Sequence, residues 1–481
     1  MPPRYDTLFR GGSLIDGTGA PAYRADLAVN GDRIVAIGDL AGARAARVID
    51  ARDRFVAPGF IDAHAHDDQA CIGNPSMRAK ISQGVTTVVV GNCGISLAPL
   101  KDPAVLPEPF NLLGDAAQFR FADFPSYFDA VAEARPAANV LALVGHSTLR
   151  AATMTNLDRR AGKRELAAML ELLDHAMRTG AAGLSTGVYY PPGRAADNGE
   201  IIPLVRKAAS FGGIYASHVR DEYDGILESL GEACAAARAG GAPLVVSHHK
   251  CAGPRNWGRS RESLEFLDRA GAMQEIALDC YPYEAGSSVM NSALVEEGVR
   301  VLITGSRKHP RAAGRYLHDI ASAWGCSERQ AADRLQPGGA CYFQMNEEDV
   351  RRILAHPAAM IGSDGLPRDP HPHPRLWGAF PRVIRRYAME QGLLPVEAAV
   401  HKMTGMTAGR FNIAGRGVLA AGNYADILVF DPRSIADQAT YEHPTRAAAG
   451  IEHVFVNGCP TWGDGAAGRA GRALRNGRAP G

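Results

Sequence analysis

From Phe60 onward, short apolar runs alternate with longer amphipathic stretches. The runs are FIDAHAH, VTTVVVGN, NVLALVGH, GLSTG, IYASH, LVVSH, IALDCY and AMIGSD, eight in all. Most are continuously apolar rather than alternating, which is the pattern of strands buried on both faces in a parallel sheet. Between several of them, segments such as KRELAAMLELLDHAMR (163–178) and SRESLEFLDRAG (260–271) repeat apolar residues at helical spacing. Eight βα repeats in series predict an α/β chain built on a (β/α)8, TIM-like barrel over residues 60–412.

The two ends of the chain carry a different rhythm. YDTLFRGGSLIDG, RADLAVNGDRIVAIGD and ARVIDARDRFVAPGF are short β-type runs broken by Asn-Gly, Gly-Asp and Pro-Gly, the punctuation of tight turns. The same character returns in YADILVF and GIEHVFVNG. Neither end alone has strands enough to bury a face, so residues 1–59 and 413–481 are expected to form one small β-sandwich domain together. One stretch exceeds what a barrel crossover needs. Residues 284–344, between the seventh and eighth runs, are expected to be an inserted helical lid over the barrel mouth.

Composition narrows the function classes. Of 481 residues, 46% are hydrophobic and 21% charged, as in ordinary globular proteins. The 52 Lys+Arg against 51 Asp+Glu leave a formal charge of +1 and no basic stripe, which removes the electrostatic case for nucleic acid. A small-molecule substrate is therefore expected. The eight cysteines include no CxxC pair and read as reduced core residues. No run approaches the roughly 18 apolar residues of a membrane span, and MPPRYDTLFRGG lacks the apolar stretch of a leader. These features predict a cytoplasmic protein without membrane contact.

Chemistry in such barrels gathers at the C-terminal ends of the strands. The first run closes with His64 and His66, the second with Cys93, the fifth with His218, the sixth with His248 and His249, and the eighth with Asp364. Imidazole, thiolate and carboxylate converging on one face are the ligand types zinc prefers. In HxH at a strand end, alternate residues share a side, so both rings can reach one ion. His249 faces away from its neighbour and is expected to orient a ligand from behind. His371 and His373 in DPHPHPRLW have ligand-like spacing but lie between prolines, and rim or structural roles are favoured for them.

These residues carry a resemblance. GFIDAHAH, the later histidines and SDG resemble the metal-dependent amidohydrolase superfamily. VVVGNCGIS, SHHKCAG, DCYPYEAGSS, IGSDGLPRDPHPHPRLWGAFPRV and FNIAGRGVLAAGNYADILVFDP resemble its D-aminoacylase (N-acyl-D-amino-acid deacylase) branch, from about residue 5 to about 460. The fourth run, AAGLSTGVYYPP, lacks the bridging lysine of most two-metal members, and Cys93 stands where a bridging thiolate could serve. The resemblance implies a tight Zn2+ site at Cys93, His218 and His248. It implies a second, weaker site at His64, His66 and Asp364, with Cys93 shared. Asp364 would act as general base and then general acid. The resemblance further implies Lys250, Tyr281 and Arg375 for the substrate carboxylate. Ser287 is of the right type beside them, and Tyr190 is the candidate donor to the scissile carbonyl.

The expected activity is zinc-dependent hydrolysis of N-acyl-D-amino acids to a carboxylate and a D-amino acid. A cyclic amidase of the hydantoinase or dihydroorotase kind is the alternative within enzymes, against which the missing lysine counts. A non-catalytic scaffold of the same fold is the alternative outside them, and the complete ligand set argues against it.

Overall fold

The computed structural model describes residues 4–103, 106–466 and 468–476. Eight parallel strands form its centre: β1 (Phe60–Asp62), β2 (Val85–Val90), β3 (Asn139–Ala142, continued by Val144–Gly145), β4 (Gly183–Gly187), β5 (Ile214–His218), β6 (Leu244–Val246), β7 (Ile276–Cys280) and β8 (Ala359–Ile361). Each pairs in parallel with the next. The ring closes where the Ala63 amide donates to the Ile361 carbonyl at 3.1 Å. A parallel bridge between Ala65 and Gly365 continues that closure toward the mouth.

Strand pleating explains the continuously apolar runs. Val89 faces inward with Ile61, Leu141, Ile214, Val245 and Met360, while Val88 and Val90 face the surrounding helices. Ala408, Phe411 and Ile413, from the segment that leaves the barrel, plug its N-terminal end. With that end filled, the open end is the one where the strands terminate.

Both chain ends supply the second domain. Arg4–Leu14, Tyr23–Asn30, Arg33–Gly38, Arg44–Asp50 and Phe55–Pro58 join Ile427–Phe430, Ile451–Val456 and Cys459–Trp462 in a single eight-stranded sheet. Phe9 and Phe455 lie three strands apart in sheet order, a separation of about 14 Å in a flat sheet. Their ring centroids are 5.0 Å apart, so the sheet curls over its own core. The last strand departs from the expected domain boundary. Ala473–Leu474 returns to the barrel and pairs in parallel with Val140–Leu141.

The insertion corrects the expectation of a helical lid. Gly286–Val289, Val301–Ser306 and Gly338–Tyr342 form an antiparallel three-stranded sheet, on which the helices Leu317–Trp324 and Glu328–Leu335 pack. The apolar runs VLITGS and GGACY are strands because they pair with each other, a contact that their own periodicity does not reveal. No helix among the described residues is long and apolar enough to cross a membrane.

Candidate metal centre

Six side chains from five strand ends meet at the barrel mouth. Ligand atoms of His64, His66, Cys93 and Asp364 lie within 4.8 Å of one another, as do those of Cys93, His218 and His248. Cys93 belongs to both groups. Its Sγ is 3.3 Å from His64 Nε2 and 3.3 Å from His248 Nε2. The His218 ring centroid lies 4.4 Å from that of His248.

The backbone is bent to bring these atoms together. Cys93, His248 and Asp364 all have positive φ, at 54°, 34° and 47°. L-residues adopt that region at a cost, and the surrounding structure must impose it. Close packing at the strand ends does so. A Cβ at Gly187 would lie 2.0 Å from the Cys93 carbonyl oxygen, and one at Gly362 would lie 2.5 Å from the His64 Cβ.

Burial alone would raise the Cys93 thiol, but His64 and His248 beside it hold it well below its ordinary value. That direction favours the thiolate, the form that binds metals. Burial would likewise raise Asp364, and Arg375 and His248 hold it well below the carboxylate range. Asp364 Oδ1 is 3.2 Å from His66 Nε2, and Oδ2 is 2.9 Å from Arg375 Nη1. Among the described residues, neither ring nitrogen of buried His218 has a hydrogen-bond partner. A buried imidazole with both nitrogens unmet beside a thiolate fits a divalent cation, which would take up the orphaned lone pair.

The other expected residues surround this cluster. Arg375 is fully buried, lies 4.4 Å from the Tyr281 ring centroid and donates to the Ser287 carbonyl at 3.1 Å. Ser287 Oγ is buried without a hydrogen-bond partner among the described residues. The Tyr190 ring stands 4.9 Å from that of His218, and its hydroxyl is 3.4 Å from Ser288 Oγ. Lys250 departs from the picture of a free cation, because its Nζ is 2.5 Å from Glu222 Oε1 and 2.8 Å from His248 Nδ1. His249 corrects the expectation that it orients a ligand. Its Nε2 meets Ser263 Oγ at 2.9 Å, tying the sixth strand end to the helix Ser260–Gly271. Burial and the neighbouring Lys250 push it down to about 3, so it is neutral there.

Two residues of the site went unread in the sequence. Asp279 on β7 accepts from the His248 amide at 2.9 Å and faces His64 Nδ1 at 3.3 Å. A lone acid inside the apolar run IALDCY was a usable signal. Glu222 binds Lys250 and lies 3.0 Å from His248 Nδ1. Nothing in RDEYD separates it from its acidic neighbours.

A cavity of about 710 Å³ opens above the cluster, lined by barrel loops and by the insertion. His66, His218, His248 and Asp364 form its floor. Leu112, Tyr189, Met290, Leu294 and Tyr342 contribute its apolar surface.

Comparison with known proteins gives matching results at sequence and structure level. The profile of the amidohydrolase family matches residues 47–323 and 320–461. A D-aminoacylase of Alcaligenes xylosoxydans xylosoxydans is 52% identical, covering 95% of this chain and 94% of that one. An N-acyl-D-aspartate deacylase of the same organism is 48% identical over 96% of this chain and 93% of its own length. The crystal structure of an N-acyl-D-glutamate deacylase from Bordetella bronchiseptica superposes with a TM-score of 0.96 at 47% identity, covering 98% of this chain and 100% of that one. That structure holds zinc and a phosphonate inhibitor that mimics the tetrahedral intermediate of its reaction.

Proposed function

The chain belongs to the amidohydrolase family, and on that premise we propose that it hydrolyses the amide bond of N-acyl-D-amino acids, releasing a carboxylate and a D-amino acid. One observation carries this reading. Asp364 stands at the floor of the cavity, in one of two ligand groups that share Cys93 and beside an arginine, where one carboxylate can exchange a proton with both water and a leaving amine.

Cys93, His218 and His248 would hold the principal zinc ion, with His64, His66, Asp364 and the shared Cys93 as a second site. Zinc held there would lower the pKa of water toward neutrality and polarise the scissile carbonyl. Asp364 takes the proton from the attacking water and returns it to the departing nitrogen. Arg375 and His248 hold it ionised, and Arg375 orients it. Tyr190 donates to the carbonyl oxygen as it becomes negative. Arg375 and Tyr281, with Ser287 and Lys250 beside them, receive the substrate carboxylate, for which a planar guanidinium is suited.

The outer cavity favours uncharged apolar side chains on the D-amino acid. Its buried cation Lys250 is bound to Glu222, and Arg220 is bound twice to Glu232, at 2.8 and 2.7 Å. The carboxylates of Glu108 and Asp221 border the same space. An acidic side chain there would meet repulsion and Arg194, which is exposed. The test is turnover by zinc-loaded protein of N-acetyl-D and N-acetyl-L pairs of Leu, Met, Phe, Asp and Glu. D-selective turnover led by the apolar members is expected. Equal or absent turnover of D and L would remove the deacylase reading, and preference for D-Asp or D-Glu would remove the side-chain assignment.

A further inference from the structure

The two histidines of the HPHP motif belong to neither metal-ligand group. In extended chain, residues two apart face the same side, and here both rings meet one partner. His371 Nε2 donates to the Tyr441 carbonyl at 2.6 Å. His373 Nε2 faces the Tyr441 hydroxyl at 3.2 Å, while its Nδ1 accepts the Arg375 amide at 2.9 Å. With Nδ1 accepting, Nε2 carries the proton and donates to the tyrosine. Burial, and Arg375 beside it, push His373 well below its ordinary range and keep it neutral.

That amide is the first of the helix Arg375–Arg382, which has no side-chain cap on its N-cap residue, Pro374. The first amides of a helix lack intrahelical acceptors, and His373 supplies one at the residue whose guanidinium reaches Asp364. Tyr441 comes from the segment between two strands of the small domain, and its ring centroid lies 4.6 Å from that of Phe343 in the insertion. Barrel loop, insertion and small domain thus meet at one side chain, directly behind Arg375.

We propose that His373 and Tyr441 form a latch that positions Arg375, so that the small domain reaches the substrate carboxylate through this contact. The inference rests on the deacylase reading, in which Arg375 receives that carboxylate. Neither latch residue touches substrate; both are positioning residues.

The experiment compares zinc-loaded wild type with His373→Asn, His373→Gln and Tyr441→Phe on the best N-acetyl-D-amino acid, recording KM, kcat, zinc content and Tm. Asn keeps an acceptor near the Nδ1 position, whereas Gln reaches toward Tyr441 and leaves the Arg375 amide unmet. In His373→Gln, KM is expected to rise about tenfold with a smaller fall in kcat and unchanged zinc. His373→Asn should stay within about threefold of wild type in KM, and Tyr441→Phe should raise KM about threefold to fivefold. Should the Gln variant not fold, Tyr441→Phe decides the matter. An unchanged KM in the folded Gln variant, an unchanged KM in Tyr441→Phe, or equal effects of Asn and Gln would overturn the latch. Wild type without deacylase turnover would instead overturn the reading beneath it.

Discussion

The two halves of the candidate metal centre share Cys93 but differ in what their other donors are already doing. On one side, His218 has no hydrogen-bond partner at either nitrogen among the described residues, and its ring is flanked by those of Tyr189 and Tyr190. On the other, His64 faces Asp279, and Asp364 is paired with Arg375. Behind His64 lies a buried network in which Lys80 Nζ is 2.7 Å from Asp62 Oδ2, 2.7 Å from Ser363 Oγ and 3.1 Å from Asp67 Oδ2. A cation entering the first half completes an unmet imidazole. One entering the second competes with an arginine for its carboxylate, which predicts the weaker binding. The same competition suits Asp364 to proton transfer, because a carboxylate not wholly committed to metal can still act as a base.

Removing the shared donor strikes both halves at once. Cys93→Ser should lose zinc from both halves and lower kcat/KM by about a thousandfold or more, since a neutral hydroxyl replaces a thiolate ligand. Zinc analysis after dialysis, with turnover on the same sample, checks it; two retained equivalents would remove Cys93 from the centre. Next in size, Asp364→Asn should cost about a hundredfold to ten-thousandfold in kcat while one zinc stays bound. A variant that keeps its activity would sink the acid-base assignment. A pair of single replacements then separates the halves. His218→Ala is expected to lose the principal zinc and activity together, and His66→Ala to keep one zinc equivalent and fall by only about tenfold. The reverse order would interchange the two sites.

How far the molecule could be read from its residues depends on the range of the contacts. The barrel is legible because each buried strand and helix carries its own rhythm, in VTTVVV as in KRELAAMLELLDHAMR. The His, Cys and Asp set stood out because each closes an apolar run, where a polar group has no packing reason to be. VLITGS in the insertion could not be assigned the same way, since its partner strand Gly338–Tyr342 lies beyond two helices in the chain. Glu222 and Tyr441 were hidden for a similar reason. Each is an ordinary loop residue whose role comes from a distant partner, Lys250 and His248 for one and His371 and His373 for the other.

A last and smaller effect tests whether burial of charge is by itself enough to mark a site. Behind β3 and β4, Glu200 is as deeply buried as the ligands and faces His146 and Arg150, yet both its oxygens are filled. Oε1 meets His146 Nε2 at 2.9 Å and Arg150 Nη1 at 2.5 Å, and Oε2 accepts from Arg150 and from the Ala161 amide at 2.7 and 2.9 Å. Burial would raise this carboxyl, but His146, Arg150 and that amide hold it down to about 2. A carboxyl depressed in the folded state stabilises fully above its unfolded value, about 4.3, and loses that contribution as the pH falls toward 2. Glu200→Gln should therefore lower stability by about 3 kcal/mol at pH 7 and flatten the dependence of Tm on pH between about 4.5 and 2. Zinc content and KM at 25 °C should remain within about twofold of wild type, because this cluster shares no residue with either group of candidate metal ligands. Calorimetric melts across that range check the first part. A loss of zinc would show instead that this paired network and the metal centre act as one unit.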